Sequence, residues 1–150
     1  MKYDLSRHRL ENSKEKLDTA EILLTNGKYK DSASRSYYAI FSAARALLAI
    51  KSLDSSKHSG VIALFNQHFV KTGVVRKEMS KLLGGAKAVR ERSDYADFVI
   101  VSKEEAQEQV QSAKEFIETV EEALNQMSTR ENGKREKVVL HRVMEKEAIF

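Results

Sequence analysis

The sequence predicts an all-α protein: an up-and-down antiparallel bundle of four to five helices with an extra C-terminal helical or flexible tail. Three observations carry this. The 150 residues contain no proline, where a typical chain of this length holds about seven, so the main helix breaker is missing. Ala, Glu, Lys, Leu and Ser are plentiful, and most of these are good helix formers. Apolar residues recur at three- and four-residue steps along five segments. The length suits one domain with a real hydrophobic core and is short for two.

The first helix is expected from about Asp4 to Asn26, with Leu10, Leu17, Ala20 and Leu24 on one face and Gly27 as its stop. The second follows "GKYKD". Asp31 is a candidate N-cap, and Ala33, Tyr37, Ile40, Phe41, Ala44, Leu47 and Leu48 form its apolar stripe. "SLDSSKHSG" is a loop by composition. A short third helix carries Val61, Leu64, Phe65, His68 and Phe69 and ends near Gly73, with His68 at a core-facing position. A fourth runs from about Val75 to Asp94, turning Met79, Leu82, Leu83, Ala86 and Val89 inward. Gly84 and Gly85 weaken it, since each costs about 1 kcal/mol relative to Ala. Close approach of another helix would explain them, and so would a break.

The fifth helix opens with a capping box, Ser102 to Glu105, in which each side chain is expected to satisfy the other's free amide. Ala106, Val110, Ala113, Ile117, Val120 and Leu124 then keep a 4-3-4-3-4 spacing, a narrow stripe suited to bundle packing. From Ser128 the chain turns charge-rich, with a weak amphipathic run through Val139, Leu140, Val143 and Met144. The expected division is a bundle at 1–127 and a charged extension, partly ordered, at 128–150.

Composition also excludes functions. With no cysteine there is no disulfide, thiolate nucleophile or Cys-based metal site. The four histidines, His8, His58, His68 and His141, are not paired at ligand spacing on a helix face, so neither a metal nor any other cofactor is expected. No apolar run reaches the roughly 18 residues of a membrane span, and the N-terminus lacks the apolar stretch of a signal peptide. The expectation is a cytoplasmic protein without membrane contact. A net charge of +4 permits nucleic-acid contact without demanding it, because Lys and Glu are interspersed.

Two stretches offer chemistry. On the second helix Arg35, Tyr38, Ser42 and Arg45 follow i, i+3, i+7, i+10 beside the apolar stripe. They read either as a solvated face with tyrosines at the core rim, or as a phosphate surface with forked arginine donors and a tyrosine platform. The second stretch is "RERSDYADF", Arg90 to Phe98. Its structural reading is an ordered helix end in which Asp94 and Asp97 bond backbone amides, Arg90 or Arg92 pairs with Asp94, and Tyr95 and Phe98 close the bundle.

"RSYYAIFSAARALLA", "KHSGVIALFNQHFVKTG" and "RERSDYADF", in that order and spacing, resemble the small prokaryotic HEPN-domain proteins, in the UPF0332-like branch associated with minimal nucleotidyltransferases. The likeness covers roughly residues 5 to 125. It implies a helical bundle, often a homodimer, working with a nucleotidyltransferase as a toxin–antitoxin pair. It also implies contact with RNA or a nucleotide, since the active toxins are metal-independent ribonucleases. Their signature is Arg, a polar residue and then His after four to six residues. The histidine moves the 2′-hydroxyl proton and the arginine holds the scissile phosphate.

Arg92 followed by Ser93 fits the start of that signature, but the positions due for histidine hold Asp97, Phe98 and Val99. Counting from Arg90 they hold Tyr95, Ala96 and Asp97. The signature is therefore incomplete. Arg135 and His141 match its spacing, in the tail, where coincidence is the plainer reading. If the chain is a ribonuclease, Arg92 with His58 or Asp97 are the candidate catalytic residues. Otherwise Arg35, Tyr38, Arg92 and Tyr95 are the candidate phosphate or nucleotide ligands, and Arg90 with Asp94 a structural network. The leading expectation is a binding module. The alternatives are an endoribonuclease toxin and a bundle that only dimerises.

Overall fold

The computed structural model describes residues 2–95 and 99–149, with side chains for 2–94 and 99–144. Asp97 and the side chain of Tyr95 lie outside the described residues. Helices α1 (Asp4–Thr25) and α2 (Tyr29–Ile50) form the first hairpin. Helix α3 (His58–Phe65) continues into a π turn at Asn66–Val70, and α4 (Glu78–Tyr95) and α5 (Lys103–Ile149) complete the bundle. The architecture is the all-α one predicted, and no described residue lies in a strand.

Gly27 makes the first turn possible. At φ +74° it takes the left-handed conformation that side chains resist. The Lys28 N–H then donates to the Leu23 carbonyl at 2.8 Å, and the Gly27 N–H to that of Leu24 at 3.1 Å. These two bonds are the Schellman ending of a helix. The reversal delivers the chain straight into α2, so Asp31 is not its N-cap. Lys28 holds that position without a side-chain bond, and Asp31 sits in the first turn, where the helix dipole favours a carboxylate.

Helix α2 is the axis of the bundle. Ile40, Ala43, Ala44, Leu47 and Leu48 are fully buried. Small residues let α1 lie close, and the buried Ser32 hydroxyl donates across the seam to the Ala20 carbonyl at 2.7 Å. The predicted stripe of α5 is buried along its whole length, from Ala106 to Leu124. Phe65, Phe69 and Phe116 join α3 and its π turn to α5, with ring centroids 5.4 Å and 6.0 Å apart.

Three local expectations need correcting. Half the capping box forms: the Glu105 N–H donates to Ser102 Oγ at 3.0 Å. The Glu105 carboxylate instead pairs with Arg92. His68 is half-buried rather than in the core. Gly84 and Gly85 mark neither a break nor a close contact among the described residues, since α4 runs through them and an added Cβ would meet none of those residues within 4 Å. Past Ser128 the chain continues α5 without interruption. Tyr3 donates to Glu131 Oε2 at 2.7 Å, so the bundle's own contacts extend past residue 128. Beyond them Val138, Val139, Leu140, Val143 and Met144 are exposed.

Candidate functional site

The second loop and α4 bring side chains of three helices, α2, α3 and α4, to one small pocket. Asp54 anchors the loop, accepting from Arg45 Nη2 at 2.7 Å and Nε at 3.2 Å and from Arg9 Nη2 at 3.3 Å. The Arg45 guanidinium holds the Asp54 carboxyl below the usual carboxylate range, aided by the Ser55 amide and by Arg9. Ser55 then packs against the first turn of α3, so closely that a Cβ at Gly60 would fall 2.8 Å from the Ser55 Cβ. This packing fixes His58, the first residue of α3.

His58 faces Tyr37, whose hydroxyl lies 2.6 Å from the ring Nδ1. Phe41 adds an aromatic wall, 4.3 Å between centroids. From α4, Lys87, Arg90 and Asp94 follow i, i+3, i+7 and so share a face. The Arg90 guanidinium carbon lies 4.4 Å from the Tyr38 ring centroid and 5.1 Å from that of Tyr37. Its Nε donates to Asp94 at 3.2 Å. Two aromatic faces and one carboxylate thus orient the guanidinium, leaving its terminal N–H groups for other acceptors. Tyr37, His58, Lys87, Arg90, Glu91 and Asp94 enclose about 180 Å³. Sites for drug-sized ligands run to about 300–1,000 Å³, so this one suits a group such as a phosphate.

Its electrostatics are uneven. Glu91 lies 3.6 Å from Lys87, and Asp94 pairs with Arg90, so the rim is near neutral in sum. At His58 the field is positive. Burial depresses the imidazole pKa first, and the charges of Arg90, Lys87 and Arg45 depress it further. Burial also raises the Tyr37 phenol pKa, against the charge of Arg90. The resting pocket therefore holds a neutral imidazole, a neutral phenol and two cations.

The predicted residues are divided among three places. His58, Arg90 and Asp94 meet in the pocket. Tyr38 is half-buried and connects the pocket, through Arg90, to a shallow groove of about 640 Å³ that Arg35 also lines. Arg35 is exposed and has no ion pair among the described residues. Arg92 points away from both, to Glu105 at the start of α5. Arg135 pairs with Glu131 at 3.2 Å, and His141 is exposed, far along α5. Among the described residues no three His, Asp or Glu side chains converge to hold a metal ion.

Tyr37 and Lys87 are site residues that pattern reading missed. Tyr37 falls on the apolar stripe and is 1% exposed, so spacing assigns it to the core. Its hydroxyl was the available signal, because a buried phenol needs a partner and His58 is the histidine nearest a loop. Lys87 gives no local signal.

The fold is an all-α bundle with a phosphate-sized pocket lined by Arg, Lys and His. The HEPN domain model matches residues 6–123, and the chain belongs to the HEPN domain family. Over 115 residues it is 37% identical to a UPF0332 protein of Thermotoga maritima, covering 77% of this chain and 87% of the relative. Over 118 residues it is 34% identical to a Methanocaldococcus jannaschii protein named Putative toxin MJ0605, covering 79% of this chain and 87% of that one. A UPF0332 protein of Pyrococcus horikoshii is 49% identical over 71 residues, 47% of this chain and 50% of the relative. No described helix is long and apolar enough to cross a membrane.

Proposed function

We propose that this chain is a phosphate-binding HEPN module of a toxin–antitoxin-type pair in the cytoplasm. In this reading it holds a nucleotide or RNA phosphate in the pocket of His58, Lys87 and Arg90. The observation that carries the reading is the guanidinium of Arg90, clamped by Tyr38 and Asp94 beside an imidazole in a positive field. Arginine fixed in this way presents parallel donors to a tetrahedral anion. Two Methanocaldococcus jannaschii relatives bear the word toxin in their names, which supports the toxin side of such a pair. A minimal nucleotidyltransferase is its partner in this reading, and the chain itself forms a homodimer.

The test is calorimetric titration of the full chain with AMP and with a short RNA, beside Arg90→Ala and Arg92→Ala. The reading requires binding that Arg90→Ala abolishes and Arg92→Ala largely keeps. No binding by the folded wild type rejects it. Co-purification of a nucleotidyltransferase from the native host tests the partner, and light scattering tests the dimer.

A second reading is favoured by one distance. The 2.6 Å contact between Tyr37 and His58 gives the pocket a histidine held by a hydrogen bond, next to an arginine. Those are the groups of a metal-independent endoribonuclease, assembled from α3 and α4 rather than from one contiguous signature. RNA cleavage in EDTA that disappears in both His58→Gln and Arg90→Ala would favour it over simple binding.

A further inference from the structure

The contact between Tyr37 and His58 says which imidazole nitrogen carries the hydrogen. Tyr37 is 1% exposed, so its hydroxyl must be satisfied inside the protein. A phenol has one hydrogen to give and lone pairs to receive. Among the described residues its hydrogen-bond partner is the His58 Nδ1 at 2.6 Å, while the guanidinium of Arg90 lies over the ring with its carbon 5.1 Å from the centroid. A guanidinium has no acceptor, so Arg90 can only donate. That leaves Nδ1 as the acceptor for the phenol hydrogen.

The opposite assignment fails on the same count. With the hydrogen on Nδ1, the phenol oxygen would receive that donor, and its own hydrogen would be left buried without an acceptor among the described residues. An imidazole that accepts at Nδ1 and is uncharged must carry its hydrogen at Nε2. Arg45 from α2, and Lys87 and Arg90 from α4, are the charges acting on the ring, and all three disfavour a second proton. Nδ1 is covered by Tyr37, which leaves the Nε2 edge of a ring that lines the pocket.

We propose that Tyr37 is a positioning residue: it locks His58 in the tautomer that carries its hydrogen at Nε2, as a donor to a phosphate oxygen held by Arg90 and Lys87. This rests on the phosphate-site reading for its ligand, but the tautomer is a property of the free protein. The consequence is chemical. In this state His58 gives a hydrogen bond at Nε2 and has no free lone pair to act as a base. The resting site is built to hold a phosphate, and not to begin by taking a proton from a hydroxyl.

The experiment is a two-bond proton–nitrogen NMR correlation on the full chain, uniformly nitrogen-15 labelled, near pH 7.5 and without ligand. His58→Gln assigns the His58 signals. Protonated Nε2 with unprotonated Nδ1 is expected in the wild type, relaxing toward a mixture in Tyr37→Phe. Inorganic phosphate is then titrated into each protein. Tyr37→Phe should bind about fivefold more weakly. His58→Gln, whose amide nitrogen stands where Nε2 does, should bind better than His58→Asn, whose amide stands where Nδ1 does. A wild-type ring protonated at Nδ1 overturns the proposal. So does a tautomer unchanged in folded Tyr37→Phe, or equal binding by the Gln and Asn variants. If the wild type shows the Nε2 tautomer yet binds no phosphate, the phosphate-site reading fails while the hold of Tyr37 on the ring stands.

Discussion

The apolar centre of the bundle and its pocket end are built around one helix by different rules. At the centre, Ile40, Leu47, Val120 and Leu124 are sealed from water, and Phe116 meets Phe65 across α5 and α3. At the pocket, within one turn of Ile40 along α2, Tyr37 and Tyr38 turn toward His58 and Arg90. The first region gains from filled volume and tolerates nothing missing. The second gains from oriented polar groups, each of which has a partner already. The difference teaches where to look for each kind of damage: stability at the centre, binding at the pocket.

The largest expected effect lies at the centre. Phe116 is fully buried, with the Phe65 ring 5.4 Å away. Phe116→Ala should cost about 3–5 kcal/mol in urea unfolding, from lost burial and the cavity left behind. A loss under about 1 kcal/mol would mean the centre is less tightly packed than the pocket, and would reverse the comparison.

Arg90→Ala sharpens the other side. Removing a donor that is already oriented should weaken phosphate binding by about tenfold or more, while the loss of its ring contacts costs only about 1–2 kcal/mol of stability. Arg92→Ala is its control. The Arg92 side chain is 48% exposed and pairs with Glu105, so less than about 1 kcal/mol is at stake and phosphate affinity should not move. Equal effects of the two substitutions on binding, by calorimetry, would dissolve the distinction between these arginines.

That pair also shows how far sequence reading reaches. The stripe of α5 was legible because a periodic apolar face is a local pattern, and the structure buries every member of it from Ala106 to Leu124. The Schellman turn at Gly27 was legible for the same reason. Choosing between Arg90 and Arg92 was harder, because Ser93 beside Arg92 resembles a family signature and says nothing about direction. Two residues along a helix are about 200° apart, so one arginine must turn away from whatever the other faces. The partnership of Tyr37 with His58 spans 21 positions, and it exists only once the Asp54 loop has been anchored by Arg9 and Arg45. Sequence spacing counts a tyrosine in an apolar stripe as core, and here it is both core and site. The extension beyond residue 128 read as an appendage because its charge pattern changes, yet nothing in it stops a helix: Gly133 alone costs only about 1 kcal/mol.

Gly84 and Gly85 offer a smaller test on α4, the helix that carries Lys87 and Arg90. Both are exposed, and no neighbour among the described residues explains them. Alanine at either position should stabilise the protein by up to about 1 kcal/mol. A gain in the unfolding midpoint with unchanged phosphate affinity would show that the pocket does not depend on a soft α4. A gain accompanied by weaker binding would tie the two regions together through that helix.

The smallest effect is one of pH, and it belongs to the pocket alone. In the unfolded chain His58 takes up a proton near the ordinary histidine pKa, about 6.5. In the folded protein burial, Arg90, Lys87 and Arg45 hold its pKa below that value. Between the two pKa values the unfolded state binds more protons than the folded one, so stability falls as pH falls. The contribution of His58 is fully present above about pH 6.5 and is lost as pH drops through its folded pKa. Comparing urea midpoints at pH 7.5 and 5.5 should show a loss in the wild type that is smaller in His58→Gln. This window lies above the carboxylate range, so the Asp54 anchor, whose pKa is held low by Arg45, does not contribute to the slope. An equal loss in both proteins would place the proton uptake elsewhere, and would mean that the field at His58 is not the positive one that its three neighbouring cations require.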